Sequence, residues 1–388
     1  MADNKISAVV AYAPAEPGKI DLRYESLTFN RKDPGPKEVL VNMLAVGICH
    51  SDIVVGGAPD GLMGAYPKVL GHEGAGRVQA VGSDVTSVRV GDPVLLSYTY
   101  CGSCDLCTDD GPYYCQEFLG MNVACIDKVW KGEEGTEVGG KFFGQSSFAN
   151  LSMVDENSIV NVKGLVDDDE MLKKCSPLGC GLMTGSGAVV NTAAAKPSDV
   201  VLVTGLGAVG LGAIMAAKIQ GCRAIIAVDR VPSRLDMAKQ LGATHTIDTN
   251  HLDITQDSYS ADLAGEVKAL VEDGKINFAL ETTGALPIIN ACIKSLSKRG
   301  KLIQIGIPIP VPTSIIPFDF QDFFGGTKQI EVNYLGDCIA KDHLPKMIQW
   351  YNEGKFPFDK LIKFYPAKDV AQALEDMKTE VIKPVLVH

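Results

Sequence analysis

The stretch Val201-Leu202-Val203-Thr204-Gly205-Leu206-Gly207-Ala208-Val209-Gly210 limits the fold more than any other, because it sets a G-x-G-x-x-G turn between a buried-strand run and a helical one. Gly205 permits the tight turn, Gly207 lets a pyrophosphate approach the backbone, and Gly210 lets helix and strand pack closely. With Ala208 and Val209 they open a helix whose first amides suit a phosphate. A second strand run, Ala224-Ile225-Ile226-Ala227-Val228, ends at Asp229, where a carboxylate meets the adenosine ribose hydroxyls of a dinucleotide. That carboxylate repels a 2'-phosphate, which favours NAD over NADP. Arg230 and Arg234 lie close enough in sequence to accommodate the phosphate and keep NADP as the alternative.

From Asp199 onward strands and helices alternate. Strands are expected at 200–203, 224–228, 278–281 and 302–305, with an amphipathic helix over 211–220 and another over 233–241. This is the pattern of a doubly wound parallel sheet. An open sheet edge is expected near Leu302 to Ile307, suited to pairing between subunits. The first hundred residues read differently, as short strands (Lys5 to Tyr12, Val39 to Val46, Gly76 to Val81, Val94 to Ser97) divided by Asp33-Pro34-Gly35-Pro36 and Gly91-Asp92-Pro93. The glycine-rich stretch 128–146 is expected to be a surface loop returning to strand at Phe148 to Val154. A helix near Val370 to Met377 and a strand at 385–387 close the chain. With 388 residues, two domains are the starting expectation.

Cysteines and histidines then supply chemistry. Cys101, Cys104, Cys107 and Cys115 place four thiols in one short loop with the two-residue gaps that turn sulfurs onto a single tetrahedral zinc. A second set is dispersed. Cys49-His50-Ser51-Asp52 follows the apolar run 39–46, His72 lies in Gly71-His72-Glu73-Gly74, and Cys180 in Leu178-Gly179-Cys180-Gly181. Three protein ligands with one position left open is the way a catalytic zinc is held. Each alone has a plainer reading, since buried cysteine and lone histidine are common in cores.

Eleven cysteines, clustered as these are, favour metal or catalysis over disulfides in a reducing compartment. The amino terminus shows no basic segment leading into a long apolar core, and the apolar runs break before spanning length, so a cytoplasmic protein without membrane helices is expected. A formal net charge of -11 speaks against nucleic acid and anionic membrane as partners and leaves a small molecule.

Together these motifs resemble the zinc-dependent alcohol dehydrogenases of the medium-chain dehydrogenase/reductase family over nearly the whole chain. Phe143-Gly144-Gln145-Ser146-Ser147-Phe148-Ala149 and Leu178-Gly179-Cys180-Gly181 are similar to its aryl-alcohol (benzyl-alcohol) branch. The resemblance implies a GroES-like catalytic domain over 1–181 and 337–388, with a Rossmann NAD-binding domain over 182–336. It implies two zinc ions per subunit: a catalytic one on Cys49, His72 and Cys180 with Glu73 behind it and Asp52 orienting the histidine, and a structural one on Cys101, Cys104, Cys107 and Cys115. Ser51 matches the hydroxyl that binds the substrate oxygen, and Thr184 a contact on the nicotinamide side. His50 and Lys383 match basic positions near the pyrophosphate, and Ile305, Gly306 and Ile307 the backbone run beside the carboxamide. A homodimer or homotetramer is implied as well.

Two positions depart from the family pattern. Many members carry a histidine five residues after the first cysteine ligand, as the exit of a proton relay, where this chain has Val54. The usual basic residue near Gly325-Gly326-Thr327-Lys328 is displaced. The expected activity is hydride transfer between a primary, aromatic or allylic, alcohol and NAD. The alternatives are the same chemistry on a biosynthetic or glutathione-adduct alcohol, and a nucleotide-binding protein without catalysis.

Overall fold

Two texture changes along the chain become two compact units in the computed structural model, which describes residues 6–31, 33–307, 315–316 and 318–388. Unit 1 comprises Met1–Cys180, Ile339–Asn352 and Phe358–His388, and unit 2 comprises Gly181–Cys338 and Glu353–Pro357.

Unit 1 is β-rich. A closed barrel runs through the strands Ile6–Tyr12, Asp21–Phe29, Asp127–Lys131, Glu137–Gly140 and Lys68–Val69. Beside it lies a sheet whose long central strand, Glu38–Gly47, pairs antiparallel with Gly74–Val81, Leu151–Asp155 and the last strand, Lys383–Val387. The two-residue alternation has its expected effect: Val39, Val41 and Met43 share one face and bury against Val78, Val94, Leu96 and Val154. Lys5, where the first strand was expected to begin, lies outside the described residues.

The 128–146 expectation is corrected. Asp127–Lys131 and Glu137–Gly140 are barrel strands with Trp130 and Val138 in the core. Glycines at 132, 135, 139 and 140 hide the alternation, because a residue without a side chain votes for neither face. Phe148 and Ala149 precede rather than belong to the strand Leu151–Asp155.

Unit 2 holds a six-stranded parallel sheet in the order His245–Asp248, Ala224–Asp229, Val200–Thr204, Phe278–Glu281, Lys301–Gln304, Gln329–Val332. The chain moves outward in one direction from Val200–Thr204 and then in the other, so the switch point lies between that strand and Phe278–Glu281. Two expectations change here. The helix over 211–220 is observed as Ala208–Ile219 and is not amphipathic, since Gly210 through Ala217 are all buried. Lys301–Gln304 is an interior strand paired on both sides, so among the described residues the sheet's edges are His245–Asp248 and Gln329–Val332, and Ile330 and Val332 on the latter are exposed. Among the described residues no helix is long and apolar enough to cross a membrane.

Candidate active site

The dispersed set converges within unit 1. Cys49 follows the strand Glu38–Gly47 and caps the short helix His50–Gly56, with its backbone N–H donating to Asp52 Oδ2 at 2.8 Å. Asp52 Oδ1 accepts from the N–H of Gly71 and from His72 Nδ1, both at 3.0 Å. One buried carboxylate therefore ties the helix, the following turn and the imidazole together. A carboxylate can only accept, so Nδ1 carries the proton and the lone pair is left on Nε2. That Nε2 is fully buried and finds no hydrogen-bond partner, an orphan costly to keep unless something else occupies it.

The group it faces fits zinc. The donor atoms of Cys49, His72, Glu73 and Cys180 lie within 4.8 Å of one another. The two sulfurs are 3.9 Å apart, and tetrahedral Zn–S bonds of about 2.3 Å would place them about 3.8 Å apart. The hydrogen bond with Cys180 holds the Cys49 thiol well below its ordinary pKa, with Lys383 and His72 adding to it against the effect of burial. The same contact pushes Cys180 up.

Behind these donors, Glu73 is bound by Lys383, whose Nζ lies 2.9 and 2.8 Å from the two carboxylate oxygens and 3.1 Å from the carbonyl of Ile48. Burial alone would drive the lysine toward its neutral form, but the adjacent Glu73 outweighs it and raises its proton affinity. Lys383, expected near the pyrophosphate, has its ammonium fully buried and engaged with Glu73. Ser51 lies half-buried with Oγ 4.0 Å from Cys49 Sγ, and His50 is exposed.

The four-cysteine loop is the second cluster. The sulfurs of Cys101, Cys104, Cys107 and Cys115 also lie within 4.8 Å, with Cys101 and Cys107 3.9 Å apart. The N–H of Cys104 donates to Cys101 Sγ and that of Cys101 to Cys115 Sγ, each at 3.4 Å. All eleven cysteines are free thiols.

In unit 2 the glycine turn takes the form its spacing implies. Gly205 has φ +85°, and a Cβ at Gly210 would sit 1.9 Å from the Gly205 carbonyl, whereas a Cβ at Gly207 would meet open space. Gly207 caps Ala208–Ile219 without a side chain, so the amides of Ala208 and Val209 have no intrahelical acceptor. Asp229 accepts from the N–H of Leu206 at 2.7 Å and of Val231 at 2.9 Å, fixing its carboxylate beside the turn. Arg230 is exposed, while the Nε of Arg234 is buried without a partner. Thr184 is buried in the helix Gly181–Gly187. The N–H groups of Ile305 and Gly306 donate to the Glu281 carbonyl, each at 2.9 Å, the Gly306 carbonyl accepts from Gln304 Nε2 at 2.7 Å, and Ile307 is exposed.

Three participants escaped the sequence. Gln145 donates to the carbonyls of His72 and Ser97 and accepts from Gly74 N–H. Phe143 stacks on the His72 ring. Buried Glu281 receives Gly284 N–H and Gln304 Nε2 beside the Ile305-Gly306 run. Only Lys383 left a local signal of its true environment, as a cation heading an otherwise apolar strand.

Comparison with known proteins agrees with this geometry. Residues 35–164 match the family described as alcohol dehydrogenase GroES-like domain, and residues 208–353 the family described as zinc-binding dehydrogenase. The chain is 34% identical over 359 residues to a geraniol dehydrogenase of Castellaniella defragrans, covering 91% of each. Benzyl alcohol dehydrogenase from Acinetobacter calcoaceticus superposes with a TM-score of 0.85 at 38% identity over 99% of each chain. An alcohol dehydrogenase zinc-binding domain protein from Burkholderia ambifaria gives 0.88 at 35% identity, also over 99% of each.

Proposed function

The chain belongs to the zinc-dependent alcohol dehydrogenases of the medium-chain dehydrogenase/reductase family, and we propose that its substrates are primary alcohols whose carbinol carbon adjoins a ring or a double bond. Geraniol and benzyl alcohol, the compounds naming two relatives, share that feature, and an adjoining π-system stabilises the aldehyde formed. The observation that carries the reading is the buried, unpartnered Nε2 of His72 converging with two thiols.

A zinc ion in this set supplies Lewis-acid polarisation of an alcohol or carbonyl oxygen, and a nicotinamide supplies the hydride acceptor. The remaining work belongs to the chain. Asp52 holds the histidine tautomer and ring through Nδ1. Lys383 engages Glu73 and so would keep that carboxylate from a metal held by Cys49, His72 and Cys180. Ser51 is placed to accept the substrate proton, and with Val54 in the next turn its onward route is water or exposed His50.

We assign the dinucleotide to the Gly205, Gly207, Ala208, Val209 and Gly210 turn, with Asp229 on the ribose, Arg230 and Arg234 at its rim, and Thr184, Ile305, Gly306 and Ile307 on the nicotinamide side. The Asp229 carboxylate favours NAD, and two zinc ions are assigned per chain, one to each cluster. The free thiols suit a reducing, cytoplasmic compartment. Exposed Ile330 and Val332 on the edge strand, with exposed Phe320 and Phe324, suit a homo-oligomer.

The test is an absorbance screen of nicotinamide reduction across ethanol, benzyl alcohol, geraniol and a glutathione adduct of formaldehyde, each with NAD and NADP. Higher kcat/KM for benzyl alcohol and geraniol with NAD is expected. Equal values for benzyl alcohol and ethanol would remove the π-adjacent preference, and turnover of the adduct alone would move the substrate to the thiol class.

A further inference from the structure

The ring of His72 needs more than its hydrogen bond to hold one orientation. The contact from Nδ1 to Asp52 fixes a single ring atom and leaves the plane free to tilt about it. Two aromatic rings remove that freedom. Phe143 lies against one face, with centroids 4.5 Å apart and planes 24° from parallel, and Phe142 meets the imidazole edge-on at 5.3 Å and 86°. Phe143 is itself backed edge-on by Phe142 at 4.9 Å and by Phe118 at 6.1 Å.

Placing that ring requires an unfavourable backbone. Lys141, Phe143 and Ser146 have φ of +66°, +53° and +52°, and Gly144 has +68°, so four of six consecutive residues are left-handed. Non-glycine residues adopt that conformation only where their surroundings hold them in it. The segment is held in place by many contacts. Ser146 Oγ accepts from Phe142 N–H at 2.9 Å and donates to the Val69 carbonyl at 2.6 Å. Ser158 Oγ donates to the Phe143 carbonyl at 2.9 Å. Lys141 Nζ pairs with Asp155 at 2.5 Å and Glu38 at 3.0 Å, and Gln145 grips the His72 carbonyl at 2.9 Å. A stretch that only covered a core could relax into ordinary conformations. This one is constrained from every side, and its product is a ring laid on a metal ligand.

We infer that Phe143 is a positioning residue for His72, setting the plane of the imidazole so that Nε2 points at the metal. The inference rests on reading Cys49, His72 and Cys180 as a metal site. Phe143 offers no donor atom of its own, and acts through the ring it stacks on.

The test compares wild type, Phe143→Leu and Phe143→Tyr, loaded with zinc and separately with cobalt(II), for the rate of metal release to dipicolinate and for the cobalt ligand-field bands. Phe143→Leu is expected to release metal from the two-cysteine site about tenfold faster, the low end of what groups orienting a ligand contribute. Its cobalt bands should shift while the four-cysteine zinc is unaffected, and Phe143→Tyr, which restores the ring face, should behave as wild type. Should Phe143→Leu not fold, Phe143→Met carries the same test, because it fills the volume without a ring. Unchanged release and unchanged bands in either variant would overturn the inference while leaving the metal site standing. A wild-type chain that holds metal only at the four-cysteine loop would overturn both.

Discussion

The two cysteine clusters of unit 1 are built by opposite means. One is local: Cys101 to Cys115 close on each other within a single half-exposed loop, and backbone N–H groups of that loop satisfy the sulfurs. The other draws Cys49, His72 and Cys180 from three distant segments into a largely buried pocket braced by Asp52, Gln145, Phe143 and the Glu73–Lys383 pair. Four thiolates complete a tetrahedron and leave no position for a substrate. Two thiolates and one imidazole leave one open. The difference teaches that a dispersed donor set needs partners for its buried neighbours, as Lys383 is for the Glu73 carboxylate.

The comparison breaks most readily at that lysine. Lys383→Met would leave Glu73 buried without its cation, at about 3–5 kcal/mol in unfolding free energy, and would let the carboxylate turn to the metal. The double variant Lys383→Met/Glu73→Gln should recover most of the loss. Urea unfolding and the KM for NAD check this together, and a raised KM with unchanged stability would return Lys383 to the cofactor. A smaller loss is expected at Asp52. Asp52→Asn should weaken metal at the two-cysteine site by about 10–100-fold with no change at the four-cysteine loop, measured by competition with a chelator, and equal weakening at both sites would erase the distinction.

The smallest effect concerns acid. Burial alone would raise the Glu38 carboxyl, but Lys141, the Gly35 N–H and Arg31 outweigh it and hold it at about 2 against an ordinary 4.5. A depressed carboxyl adds stability that is fully present above 4.5 and is lost as the pH falls toward 2. The stability difference between wild type and Glu38→Gln should therefore be constant above that window and shrink within it. A difference independent of pH would show that Glu38 contributes packing and not charge.

What the sequence made legible follows the same division. The four-cysteine loop and the glycine turn announce themselves because their function is written in spacings of two or three residues. Cys49, His72 and Cys180 could be grouped only by resemblance, since nothing in their local sequence says that three segments meet. The supporting groups were hidden further. Phe143 looks like any core aromatic, and Trp130, its equal in the sequence, stacks on Phe29 in the barrel instead. Lys383 matched a cofactor position by family pattern, and the cost of burying an unpaired ammonium accounts for its pairing with Glu73. Strands at His245–Asp248 and Gln329–Val332 escaped notice because four residues with mixed polarity give no period to read.

The central claim is that the dispersed cluster is a catalytic metal site independent of the structural one. It is tested most directly by counting zinc in wild type and in Cys180→Ser alongside benzyl-alcohol-dependent reduction of NAD. Two zinc ions per chain are expected in wild type, one for each cluster. In Cys180→Ser one should remain, with an intact fold and activity lower by on the order of a thousandfold, because Lewis-acid stabilisation is worth several kcal/mol. A Cys180→Ser chain that kept both zinc ions and its turnover would contradict the account.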